Sequence, residues 1–233
     1  MKYTTRFSPT VNGNLHIGHI FMALVNEYEA HHSGGKFTVR FDDDQKYWNE
    51  IKHVDTKEIE TGIKNDFMWL GIKVDEWESE KLMKHNRALI SGSKIPPEMA
   101  EYPDIPEVVG WTAATYPYAP NLTALKVLLD YVDGVNLLIR GIDLITEFSL
   151  YEHYIEEFEL PFPRHVYLPR LTLGGNGEIS DISKTAGNNS IKQLREYGIT
   201  PLQIIDSLKR SCLKDPEGDW SIDNVKANPV WFR

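Results

Sequence analysis

The run Thr5-Arg6-Phe7-Ser8-Pro9-Thr10-Val11-Asn12-Gly13-Asn14-Leu15-His16-Ile17-Gly18-His19 changes character in its middle. Its first residues read as a short strand, and Pro9 and Gly13 then break it. Beyond the break, apolar residues recur at Ile17, Ile20, Phe21, Leu24, Val25 and Tyr28. That spacing predicts a helix over about 16–32, closed by Gly34-Gly35. Two histidines and Gly18 therefore fall at a strand-to-helix junction. Free N–H groups and the helix dipole make such a junction a place for phosphate. Two histidines three residues apart would also suit a solvated turn or half a metal site, so the motif needs its context.

That context lies on both sides. Residues 3–9 and Lys36–Phe41 read as strands flanking the helix. A strand–helix–strand unit predicts parallel strands joined by a right-handed crossover. The second strand ends in Asp42-Asp43-Asp44, at the carboxyl edge where open α/β sheets bind ligands. Asp43 and Asp44 also suit a solvated acidic turn. Apolar Ile59, Ile63, Phe67 and Leu70 predict a second helix over 54–70, stopped by Gly71. Residues 73–120 hold six prolines in a broken pattern, which predicts an irregular insertion. A helix over 122–131, a buried strand over 135–139, a helix through Phe148–Ile155 and a strand at 166–168 repeat the earlier logic. The expected fold class is α/β, a doubly wound parallel sheet of Rossmann type, with a shortened insertion and a small C-terminal helical region. Its expected organisation is 1–72 for the first half of the core and 73–120 for the insertion. The second half of the core, with a lysine loop, takes 121–185, and the helical region takes 186–233. That region reads as helical from Ser190 to Leu213, with Thr200-Pro201 supplying a cap and a first-turn proline. The terminal aromatics Trp220, Trp231 and Phe232 need a packing partner.

Composition narrows the function classes. The chain has 233 residues, 41% apolar and 25% charged, enough for one large or two modest domains. No apolar run approaches membrane-spanning length, and the N-terminus carries no signal-peptide pattern, so a cytoplasmic protein with no membrane partner is expected. A single cysteine, Cys212, excludes an internal disulfide and a multi-cysteine zinc site. Net charge is −9, with 25 basic and 34 acidic residues, which is not the footprint of a general nucleic-acid binder.

Arg6-Phe7-Ser8-Pro9-Thr10, Gly13, Leu15-His16-Ile17-Gly18, Gly34-Gly35-Lys36-Phe37 and Val39-Arg40-Phe41-Asp42-Asp43 follow one another in an order and spacing that resemble the catalytic domain of glutamyl-tRNA synthetase, a class I aminoacyl-tRNA synthetase. That family reads Arg-Phe-Ala-Pro-Ser-Pro-Thr-Gly, Leu-His-(Ile/Val)-Gly, Gly-Gly-Lys-Phe and Leu-Arg-Ile-Glu-Asp. The resemblance continues through Leu128-Leu129-Asp130, Gly134-Val135-Asn136, Leu138-Ile139-Arg140-Gly141-Ile142-Asp143 and Ile182-Ser183-Lys184-Thr185. It reaches about Leu213, where the family's anticodon-binding domain would begin; glutamyl-queuosine tRNA(Asp) synthetase is a truncated relative of that kind.

The resemblance implies ATP-dependent activation of an amino acid, glutamate, and transfer to tRNA or another acceptor, by a monomer. A glutamyl-queuosine-type tRNA modification, a nucleotidyltransferase and a non-catalytic synthetase-like binding protein are the alternatives. ATP with Mg2+ is implied, without zinc and without a protein metal ligand. His16, His19 and Lys184 are implied as catalytic. Gly18, Asp143 and Ser183 join them around ATP. Arg6, Ser8, Thr10, Asp42, Leu122, Lys126 and Arg140 are implied around the amino acid, with the arginines on its anionic groups and Asp42 on its ammonium. Four positions depart from the family. Asp42 replaces a glutamate, Leu122 a tyrosine (Tyr118 being the nearest substitute) and Lys126 an asparagine. Asp181 replaces the first loop lysine. By default a lysine such as Lys126 points to solvent; the alternative is that it binds an extra carboxylate.

Overall fold

A computed structural model describes residues 1–42, 55–79, 119–173, 179–181, 190–226 and 229–232. Asp43 and Asp44, Tyr118 with nearly all of the expected insertion, Gly174–Gly177 and the Ile182–Thr185 motif with Ser183 and Lys184 lie outside the described residues.

A six-stranded sheet organises the chain. Its strands are β1 (Thr4–Phe7), β2 (Lys36–Arg40), β3 (Glu76–Glu78), β4 (Leu137–Gly141), β5 (Arg164–Leu168) and β8 (Val230–Phe232), in the spatial order β3-β2-β1-β4-β5-β8. The first five are mutually parallel; β8 runs antiparallel along β5. A separate two-stranded pair joins β6 (Thr172–Leu173) to β7 (Ile179–Asp181). From β1 the chain steps outward through β2 to β3, then returns to the other side of β1 for β4 and β5. The direction reverses between β1 and β4, which is the switch point where doubly wound sheets open a crevice at the strands' carboxyl ends.

The helices divide between the two faces. On one lie α1 (Ile17–His32), α2 (Thr56–Leu70), α5 (Ile191–Glu196) and α6 (Pro201–Cys212). They pack with Phe7, Phe37, Val39, Phe41, Leu137, Ile139, Val166 and Leu168 into the larger core. Against the other face lie α3 (Ala119–Val132) and α4 (Phe148–Glu157), which pack with Leu138 into a second core. A short 3-10 turn over Ile142–Glu147 links β4 to α4. Close approach fixes one glycine: a Cβ on Gly35 would stand 1.8 Å from the carbonyl oxygen of Tyr3, so only glycine lets β2 begin beside β1 there.

Two expectations need correction, and a third, a partner for the terminal aromatics, is met. Within the span read as insertion, Glu76–Glu78 forms a sheet strand, pairing Thr38 with Glu76 and Arg40 with Glu78. Three residues are too few to show alternation, so no periodicity announced it. The helical region 190–213 is two helices, because Pro201 disfavours helix at Thr200. Thr200 instead caps α6, its hydroxyl accepting from the Gln203 N–H at 3.3 Å while the Gln203 side chain accepts from the Thr200 N–H at 2.8 Å. The terminal aromatics form edge strand β8, with Phe232 stacked on Phe148 at 4.2 Å between centroids and Arg164 over the Trp231 ring. Trp220 packs against Phe21 of α1.

Candidate functional site

The carboxyl end of β1 passes into the Ser8–Leu15 loop, and α1 starts beside it. His16 caps that helix: its Nδ1 accepts from the Gly18 N–H at 3.1 Å, while Nδ1 of His19 accepts from the His16 N–H at 3.3 Å. This is a capping box built from two imidazoles. A ring nitrogen that accepts carries no proton, so in each neutral ring the proton sits on Nε2, which becomes the donor. The two rings stack at 3.7 Å, and His19 lies edge-on to Phe7 at 6.3 Å. Gly18 is small for a local reason: a Cβ there would stand 3.0 Å from Cε1 of His16. Ser190 pairs with His16 as an isolated bridge, and the Ile191 N–H donates to the Leu15 carbonyl at 2.9 Å. The chain leaving the lysine motif therefore rejoins the described fold beside the histidines.

Asp42 comes to the same edge through the backbone. Thr10 and Asp42 form a parallel bridge, and the Asp42 N–H donates to the Pro9 carbonyl at 3.1 Å. Strand pairing then decides which side chains share the second face. Arg6 lies opposite Thr38 of β2, and Arg40 lies two residues further along that strand. Arg140 lies opposite Tyr167 of β5. With period two, Arg40, Arg6 and Arg140 fall on one face of three adjacent strands, β2, β1 and β4.

Burying arginines requires carboxylates. Arg6 grips Asp130 with two nitrogens, each 2.7 Å from a carboxylate oxygen, and its Nη1 also donates to the Ser8 hydroxyl. Arg40, fully buried, places Nη1 2.9 Å from Asp130 and 3.4 Å from Asp133, and Nε 3.7 Å from Asp42. The Tyr151 hydroxyl donates to Asp130 at 2.6 Å. Burial alone would push the Asp130 carboxyl up, but Arg6 and Arg40 outweigh it and hold it well below the usual range. Burial likewise works to lower Arg40, and Asp130, Asp42 and Asp133 together raise it instead. Burial, then the charge of Asp130, lifts Tyr151 well above an ordinary phenol.

Lys126 does not point to solvent. It reaches from α3 to Asp42, with Nζ 3.1 Å from Oδ2. A buried carboxylate outcompetes water for its ammonium. Arg6, expected around the amino acid, is tied to Asp130. Asp143 is exposed and folds back over Gly141, where a Cβ would stand 2.4 Å from its Oδ1. Leu122 lies in the first turn of α3. Arg140 is half-buried, its guanidinium 4.6 Å from the centre of the Tyr151 ring. Among the described residues it is the arginine of this face with no carboxylate partner.

Beyond Arg140 stands His165, buried in a cage of Phe148, Tyr151, Phe162 and Tyr167, with neither ring nitrogen hydrogen-bonded. Burial first, then Arg140, pushes its pKa down to about 3. Sequence reading missed Asp133, Tyr151 and His165 as parts of this layer, and saw Arg40 and Asp130 only as motif letters. The available signal was Asp130 and Asp133 one turn apart at the end of an apolar helix. Among the described residues, no group of three or more His, Cys, Asp or Glu side chains could hold a metal ion, and no helix is long and apolar enough to cross a membrane.

Comparison with known proteins bears on this edge of the sheet. A family model described as class I tRNA synthetases (E and Q), catalytic domain, matches residues 2–91. Glutamate–tRNA ligase 1 of Roseobacter denitrificans is 39% identical over 79 residues, 34% of this chain and 17% of that protein. Glutamate–tRNA ligase 2 of Sphingopyxis alaskensis is 24% identical over 278 residues, 93% of this chain and 61% of that protein. The chain thus spans about three fifths of the length of curated relatives that it matches along most of its own. Among solved structures, a glutamate tRNA ligase from Elizabethkingia meningosepticum in complex with its amino acid covers 88% of this chain and 60% of its own, with TM-score 0.59 and 16% identity. A tyrosyl-tRNA synthetase from Archaeoglobus fulgidus covers 99% of this chain and 78% of its own, with TM-score 0.55 and 17% identity. In sequence over residues 2–91 this chain is similar to the catalytic domain of class I tRNA synthetases (E and Q), and over most of its length it has the fold of their Rossmann-like cores.

Proposed function

We propose that this chain activates a carboxylic acid of glutamate's length as its adenylate and passes the acyl group to tRNA or another acceptor. One juxtaposition carries this reading. The capped start of α1, with two imidazoles whose Nδ1 atoms accept, and Arg140, which has no carboxylate partner among the described residues, flank the carboxyl end of β1 at the switch point of the sheet.

In the reaction, an oxygen of the acid's carboxylate attacks the α-phosphorus of ATP. The bond from that phosphorus to the bridging oxygen of the β-phosphate breaks, and pyrophosphate leaves with its electrons. Nothing in this step needs a covalent nucleophile on the protein; positioning and charge stabilisation do the catalysis. His16 and His19 donate hydrogen bonds to the phosphates, and Gly18 leaves the helix start uncovered. Lys184 stabilises the charge developing on pyrophosphate, with Ser183 beside it, and Asp143 meets the nucleotide from the end of β4. Ser8 and Thr10 line the acid pocket, and Arg140 anchors the acid through a carboxylate. Magnesium enters with the ATP phosphates as part of the substrate. An acceptor nucleophile on tRNA, or on a modified nucleoside within it, then takes the acyl group and releases AMP.

ATP–pyrophosphate exchange tests the reading, run with glutamate, its des-amino congener glutarate and the remaining amino acids, with and without total tRNA. Exchange dependent on one acid, abolished in Lys184→Ala while the circular-dichroism spectrum and melting curve are unchanged, is the expected result. Absence of exchange under every condition overturns it.

A further inference from the structure

Beyond Lys36, Glu76 and Glu78 at its β3 edge, the described second face gathers the cations Arg6, Arg40, Lys126 and Arg140 and the carboxylates Asp42, Asp130 and Asp133. Every one of those carboxylates is engaged with a cation. Asp130 holds Arg6 and Arg40 and also accepts from Tyr151. Asp133 faces Arg40. Asp42 turns Oδ2 to Lys126 at 3.1 Å and Oδ1 toward Arg40, and its Oδ1 is sealed from solvent. An incoming ammonium therefore meets no open carboxylate oxygen on Asp42, and it would add a third cation to a group already facing two. Like charges gathered around a single buried carboxylate repel, and the cost grows as water is excluded. Arg140 supplies the opposite demand: it is half-buried and close to the Tyr151 ring, and among the described residues no carboxylate forms an ion pair with it. Among the described residues, Asp42 is thus poorly placed to take an ammonium, while Arg140 is placed to take a carboxylate.

We propose that Lys126 is the specificity-determining residue of this pocket, its ammonium standing where a substrate ammonium would pair with Asp42, so that the acid the pocket selects is a dicarboxylate without an α-ammonium. Glutarate is the simplest such probe at the length of glutamate. One carboxylate meets Arg140 and the other faces ATP. This rests on the adenylation reading for the chemistry but on Lys126, Asp42 and Arg140 alone for the selectivity.

Isothermal titration of the whole chain with glutarate and with L-glutamate, beside pyrophosphate exchange with each, separates the two claims. The wild-type protein should bind glutarate at least tenfold more tightly than glutamate. Lys126→Asn, which removes the cation and keeps a hydrogen-bonding group, should shift that ratio toward glutamate by tenfold or more. Lys126→Met, which keeps the stem and removes the charge, should shift it in the same direction, and melting curves verify that both variants are folded. Glutamate bound as tightly as glutarate by the wild type, binding of neither acid, or a ratio unmoved in both variants overturns the proposal. Exchange supported by glutamate and not by glutarate overturns it and leaves adenylation standing. Selective glutarate binding with no exchange upholds it and overturns adenylation.

Discussion

The two faces of the central sheet are made by the same strands and solved by different physics. On the α1 side, β2 contributes Phe37, Val39 and, just past its end, Phe41, all fully buried among apolar neighbours. On the α3 side, the alternate residues Thr38 and Arg40 are buried just as deeply. The first face needs only apolar volume, which tolerates many fillings. The second buries charge, and it holds only because Asp130 sits between Arg6 and Arg40 while Asp42 and Asp133 flank them. A face assembled this way is costly to disturb at a single point, and among its described arginines Arg140 is the one without a carboxylate partner. The comparison teaches how the two faces differ: the apolar face needs only volume, whereas the charged face needs each buried ion placed against its partner.

Truncating one residue on each face breaks the comparison most directly. Asp130→Ala leaves two buried guanidinium groups short of their shared carboxylate and should cost about 3–5 kcal/mol. Phe37→Ala removes a fully buried ring and should cost a similar ~3–5 kcal/mol by loss of burial and creation of a cavity. Chemical denaturation measures both. The faces separate in how a second substitution acts. Removing Arg6 as well should recover part of the Asp130→Ala loss, because fewer unpaired charges remain, whereas no partner substitution of this kind rescues Phe37→Ala. Strict additivity of the Arg6 and Asp130 substitutions would refute the shared-charge account.

Smaller, and specific to the charged face, is a pH effect at His165. Its folded pKa is about 3 against an ordinary value of 6.5, so between those limits the unfolded chain binds a proton that the folded chain does not. Stability from this group is complete above pH 6.5 and is lost as pH falls toward 3. His165→Phe, in a cage already aromatic, should flatten the stability profile over that window while leaving stability near pH 8 within about 1 kcal/mol, the scale of a volume-conserving swap. Denaturant midpoints at a series of pH values measure it, and an unchanged slope would place the acid sensitivity elsewhere. The smallest effect belongs to the periphery of the apolar face: Thr200→Ala removes the hydroxyl that caps α6 and should cost about 1 kcal/mol, with no dependence on bound acid.

Local pattern determined a good deal of this protein. Alternation and helical spacing placed β1, α1, β2, α2 and α3, because strands and helices that bury one side must repeat with period 2 or 3.6. Their order carried the doubly wound topology, and the strand-to-helix junction at His16–His19 was legible because Pro9 and Gly13 break the strand before helical spacing begins. Periodicity was silent about β3 and β8, each three residues long and stabilised by a neighbour found only after folding. It was silent too about partners. That Arg6 meets Asp130, 124 positions away, and that Lys126 turns inward to Asp42 follow from strand register and from α3 lying across the second face. A sequence records which charges a chain carries; which charges neutralise one another, and which is left for a ligand, is settled by three-dimensional proximity in a medium that does not forgive an unpaired ion.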